Sequence, residues 1–101
     1  MLFGGDGGVP GGANIWPRLF VEMYEAAQKS EMEEILKCQE KIYQLREVYS
    51  LGKYSSSFIK GVKCALSLMN ICDDFMEEPF HRFRGGERSL VEKKLKELAL
   101  K

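Results

Sequence analysis

The sequence predicts a mainly helical chain of about four helices, opened by a glycine-rich stretch with room for one short strand. Three observations carry this. Six of the ten glycines fall within residues 4–14, GGDGGVPGGAN, and the remainder is nearly free of glycine. Downstream, apolar residues recur at three- and four-residue intervals, the period of a helix. Two S-x-x-E patterns, Ser30 to Glu33 and Ser89 to Glu92, have the form of capping boxes that start helices.

Each element follows in order. Met1 to Phe3 is apolar and runs into a glycine turn, so strand, turn and following helix read as one βα unit. A lone strand leaves its backbone N–H and C=O groups without partners on both edges, so this unit reads as the end of something larger. In the next segment, residues 16–29, Pro17 suits a first-turn position because its missing N–H needs no partner there. Trp16, Leu19, Phe20, Met23 and Ala27 form its apolar face. The second helix, residues 31–50, is expected to start at the Ser30 capping box, to carry Met32, Ile35, Leu36, Ile42, Tyr43 and Tyr49 on one face, and to stop near Gly52. A third, residues 56–71, is capped by Ser55, Ser56 or Ser57 and carries Phe58, Val62, Ala65, Leu66 and Met69. The irregular EEPFHRFRGG follows, broken by Pro79 and the Gly85-Gly86 pair, before a last helix over residues 89–100.

Composition bounds the function. With 101 residues the chain fits one domain, and 15 basic against 15 acidic residues give no electrostatic ground for nucleic acid or an anionic membrane as partner. No apolar run approaches the roughly 20 residues of a membrane helix, and no signal peptide is evident, so a cytoplasmic location is expected. Cys38, Cys64 and Cys72 are odd in number, form no C-x-x-C, and read as reduced structural thiols within apolar helical patterns. His81, beside Arg82 and Arg84, reads as a solvated loop residue, and Asp6 as a group that orients the glycine turn through backbone N–H bonds. Glu31, Glu33, Glu34, Asp73, Asp74, Glu77 and Glu78 lack a histidine at ligand spacing and read as solvated faces or helix-start charges, so no metal and no cofactor is expected. The glycines do not continue into the G-K-S/T of a nucleotide-binding loop.

GGDGGVPGGANIWPRLFVEMYEAA, with FIKGVKCAL and EEPF downstream, resembles the C-terminal portion of the dihydrodipicolinate synthase and N-acetylneuraminate lyase family. The resemblance covers residues 3–100. It implies a (β/α)8 barrel with a helical C-terminal extension, in which residues 1–29 supply the last strand, glycine-rich loop and last barrel helix, and residues 30–101 the extension. It also implies a homo-tetrameric lyase or aldolase that forms a Schiff base between a lysine and pyruvate or another 2-oxo acid. The backbone of Gly8, Val9, Pro10 and Gly11 would line the substrate pocket, at the rim where such barrels place their chemistry. Gly11 stands where sialic-acid lyases carry a serine, which argues against that specificity. The family's Schiff-base lysine, its proton-shuttling tyrosine and its carboxylate-binding hydroxyls all precede the matched region, so no catalytic residue is assigned here. Lys60 and Lys63 fall on extension helices, and Lys63 reads as structural. The expected partners are the rest of a barrel or a second copy through the N-terminal third; the alternative is a free-standing helical interaction module derived from the family.

Overall fold

The computed structural model describes residues 4–51 and 57–101. Four α-helices are present among them and no strand: α1 (Pro17–Gln28), α2 (Met32–Arg46), α3 (Ser57–Leu68) and α4 (Gly85–Glu97). Single 3₁₀ turns at Gly11–Asn14 and Glu47–Tyr49 lead into α1 and extend the end of α2. The expected strand at residues 1–3, the stop at Gly52 and the caps Ser55 and Ser56 lie outside the described residues. The chain forms two compact units, residues 1–43 and 44–101.

In the first unit, Pro17 occupies the first turn of α1 as the sequence predicts. Leu19 and Ala26 are buried, while Trp16, Phe20, Met23 and Ala27 are half-buried. The end of α1 corrects the reading of Ser30. Its φ of +56° is left-handed, and its N–H donates to the Ala27 carbonyl while that of Glu31 donates to Ala26. This paired arrangement is a Schellman stop, whereas a helix N-cap requires an extended backbone, so Ser30 closes α1 and caps nothing. Glu31 then serves both helices: its N–H bonds back to Ala26, and its carbonyl accepts from Ile35 at 3.0 Å. On α2, Ile35 and Cys38 are buried, but Met32, Leu36 and Tyr43 are exposed, so the apolar stripe is narrower than predicted.

In the second unit, α3 packs against both the 3₁₀ turn and α4, around Leu45, Val48, Cys64, Ala65, Val91 and Leu95. Gly61 makes the approach possible. A Cβ there would lie 2.5 Å from the Val48 carbonyl oxygen and 2.6 Å from Tyr49 Cα. Beside this contact the rings of Tyr49 and Phe58 meet edge-on at 4.6 Å. Phe58 otherwise faces outward and Met69 is only half-buried, while Gly61, Cys64 and Leu68 take up the buried face. Across the 3₁₀ turn, Lys94 Nζ reaches Glu47 at 2.6 Å and Glu97 at 2.9 Å.

Helix α3 stops at Leu68, with Asn70 at φ +61° and the Ile71 N–H bonded to Leu66 in a second Schellman stop. The last helix starts a turn before the expected position. Gly85 opens it at a φ of +41°, and Ser89 lies inside it with Oγ donating to the Gly85 carbonyl, so the second S-x-x-E is no capping box. The glycine pair expected to break structure instead sits in a first turn, where N–H groups have no helical partner to lose. Ala99, at φ +57°, closes α4 with the Leu100 N–H on Leu95 at 2.8 Å.

Candidate functional site

The glycine-rich segment is held by its 3₁₀ turn. The Ala13 N–H bonds to the Pro10 carbonyl, those of Ile15 and Trp16 converge on Gly12, and Asn14 Nδ2 donates to Gly11 at 3.0 Å. Asn14 therefore fixes the entry to α1. Gly8, Val9 and Pro10 are exposed, with Val9 fully extended into solvent, and Gly11 is half-buried at the start of the turn. Gly7, Gly8 and Pro10 border an apolar groove of about 520 Å³ whose other walls are α1 and α2, through Phe20, Met23 and Leu36. Of the four predicted pocket residues, Gly8 and Pro10 line this groove, and Val9 and Gly11 do not. A Cβ at Gly7 or Gly8 would meet no atom within 4 Å among the described residues, whereas Gly4 needs glycine for its φ of +93°.

The other singled-out residues are dispersed. His81 and Asp6 are exposed, and Lys60 is half-buried on α3. Lys63 is structural: its Nζ donates to the Phe75 carbonyl at 2.6 Å, tying α3 to the segment that follows it. Glu33 and Glu34 fall in the first turn of α2, where negative charge complements the helix dipole. Asp73 accepts the Phe75 N–H. Asp74 departs from the solvated reading: it is 6% exposed and bridges Arg82 at 3.3 Å and Arg88 at 3.2 Å. Arg88 also reaches Ser67 Oγ and Cys64 Sγ. No cluster of three or more metal-ligating side chains occurs among the described residues.

The cysteines divide. Cys38 and Cys64 are buried, whereas Cys72 is exposed beyond the end of α3, against the expectation that all three pack inside. Burial pushes the Cys38 thiol above its ordinary value, with Glu22 adding to the rise. Burial likewise raises Cys64, against the opposing pull of the Arg88 guanidinium. Both therefore stay protonated and unreactive near neutral pH. Gly61 and Arg88 are the positions that sequence reasoning missed, and Asp74 is the one it placed in solvent. Only Gly61 carried a signal, as a lone glycine inside a helical pattern.

A glycine-rich turn, a helix and a helical extension, in this order, match the C-terminal part of a (β/α)8-barrel protein. It belongs to the dihydrodipicolinate synthetase family, whose profile matches residues 1–98. It is similar to uncharacterized DapA-like lyases from Pyrococcus horikoshii, 30% identical over 98 residues, and Thermococcus kodakarensis, 30% identical over 100 residues. These matches cover 97% and 99% of this chain but 32% of each relative. Among solved structures, dihydrodipicolinate synthase from Bacteroides thetaiotaomicron is 46% identical with a TM-score of 0.90, covering 95% of this chain and 33% of that one. The chain thus spans about a third of the length of these relatives and corresponds to the helical C-terminal part of a (β/α)8-barrel protein of this family. No helix among the described residues is long and apolar enough to cross a membrane.

Proposed function

We propose that this chain is the C-terminal part of a cytoplasmic, Schiff-base-forming lyase or aldolase acting on pyruvate or another 2-oxo acid. The observation that carries the reading is a family match over residues 1–98, which takes in the glycine-rich turn and the helices. In this assignment residues 1–29 complete the barrel and residues 30–101 form the extension. The backbone of Gly8, Val9, Pro10 and Gly11 lines the substrate pocket, and the open space beside Gly7 and Gly8 accommodates groups from outside the chain. The lysine nucleophile and its tyrosine come from the preceding two-thirds of such a barrel, so the isolated chain is inactive. It instead associates through its N-terminal third, with a barrel or with a second copy, and the whole enzyme is a homo-tetramer.

The test is reductive trapping in two arms. Borohydride with pyruvate leaves the mass of the 101-residue chain unchanged; a pyruvate-sized adduct on any of its lysines overturns the assignment of catalysis to preceding residues. In the second arm, this chain replaces the matching third of the Bacteroides thetaiotaomicron synthase. A folded chimera that traps pyruvate supports the reading, and a Gly8→Leu variant of it raises KM. A folded chimera that traps none refutes it.

A further inference from the structure

The second unit carries a cluster of arginines around a buried carboxylate. An open depression of about 500 Å³ is walled by Arg82, Arg84, Arg88, Ser67, Asp73 and Asp74. The Asp74 side chain is 8% exposed, and its two oxygens are divided between two guanidiniums, Oδ1 to Arg82 and Oδ2 to Arg88. A buried carboxylate shared in this way fixes the directions of both arginines, and Arg88 is held further by Ser67 Oγ and Cys64 Sγ. Arg82 and Arg88 line the depression with side chains 51% and 37% exposed, and Arg82 has no partner but Asp74 among the described residues. Arg84 has no ion-pair partner among the described residues, and the Asp73 carboxylate is engaged through one oxygen by the Phe75 N–H.

We propose that this depression binds a small oxyanion of the phosphate or polycarboxylate type, gripped by Arg82, Arg84 and Arg88. Three guanidiniums face two carboxylates there, in a chain whose overall charge is zero, so the excess positive charge is local. Guanidinium forks match the paired oxygens of such anions. Ser67, already within reach of Arg88 Nη2, supplies a hydroxyl that can turn toward the anion. Because the site is open and Asp73 opposes an anion, affinity is modest, with a dissociation constant on the order of 1 mM.

The test uses arginine Nε–Hε resonances of the intact chain, titrated with inorganic phosphate and, separately, with citrate, each against chloride at matched ionic strength. A saturable shift confined to Arg82, Arg84 and Arg88 is expected, and the two arms tell which oxyanion is preferred. Arg84→Gln, at an exposed position outside the Asp74 bridge, should weaken binding about tenfold, the equivalent of one charge-assisted hydrogen bond. Shifts that track ionic strength alone, no saturation with either anion by 20-fold the expected constant (~20 mM), or an unchanged affinity in Arg84→Gln would overturn the proposal.

Discussion

Replacing Gly61 by alanine tests the packing of the second unit at its tightest point. The added methyl would stand 2.5 Å from the Val48 carbonyl oxygen, where ordinary contact begins at 3.4 Å, so α3 or the 3₁₀ turn must retreat by almost an ångström. Both obstructing atoms are backbone, and no rotamer change relieves them. Overpacking of this kind costs about 1–3 kcal/mol, and the alanine recovers up to about 1 kcal/mol through its better helix propensity. The net expectation is a destabilisation of about 1–2 kcal/mol, or roughly 5–15 °C in Tm for a chain of this size. Thermal melts followed by circular dichroism measure it, with hydrogen exchange of the α3 amides reporting where the loss falls. Gly86→Ala is the control: its methyl meets nothing within 4 Å, so it should raise stability by a few tenths to about 1 kcal/mol. If Gly61→Ala melts at or above the temperature of the unmodified chain, the close approach of α3 to Val48 and Tyr49 is wrong.

Other expectations follow from the same packing. Ala99→Gly removes the left-handed strain of a Cβ at φ +57° and should stabilise α4 by about 1 kcal/mol in urea titrations, whereas Ala99→Val should do the reverse. Cys72 alone should react promptly with a thiol reagent under native conditions, with Cys38 and Cys64 modified only as the chain unfolds; mass spectrometry of the labelled peptides reads this directly. Hydrogen bonds to Lys101 and Lys94 hold the Glu92 and Glu97 carboxyls below the usual glutamate range. Their contribution is complete above that range and is lost as pH falls through the depressed folded values, so acid melts should show a small drop that Lys101→Met and Lys94→Met reduce. Lys94 is raised in turn, chiefly by its bond to Glu47, and that support persists below the ordinary lysine value and fades as pH rises through the higher folded one.

The existence of each helix was legible because the apolar period survives in the sequence, and Pro17 marked the start of α1 correctly. The helix ends were misread for a specific reason. Ser30-x-x-Glu33 and Ser89-x-x-Glu92 satisfy a residue pattern, but a capping box also needs an extended backbone at the serine, and neither serine has one. Positive φ at Ser30 and Ala99 cannot be read from residue type, whereas Asn70 is of a type that adopts it readily. The close approach at Gly61 depends on a turn thirteen positions earlier, and the Asp74 bridge gathers Arg82 and Arg88 from either side of a glycine pair. Both are products of tertiary folding. The family was legible from motif and order together, through the glycine turn, Ala13-Asn14 and the helix that follows, although no single piece was diagnostic.

The double duty of Glu31 has a bearing on how this chain tolerates change in length. One residue ends α1 through its amide and begins α2 through its carbonyl, with no spare peptide between them. Any insertion or deletion at Ser30 or Glu31 must cut both hydrogen-bond ladders at once and turn α2 by about 100° per residue about its own axis. That rotation would carry Ile35 and Cys38 out of their buried positions. By contrast, the irregular run between α3 and α4 has exposed residues at Glu77, Glu78 and His81, where added residues can loop into solvent. Length variation among homologous chains should therefore collect in that second connection and spare the first.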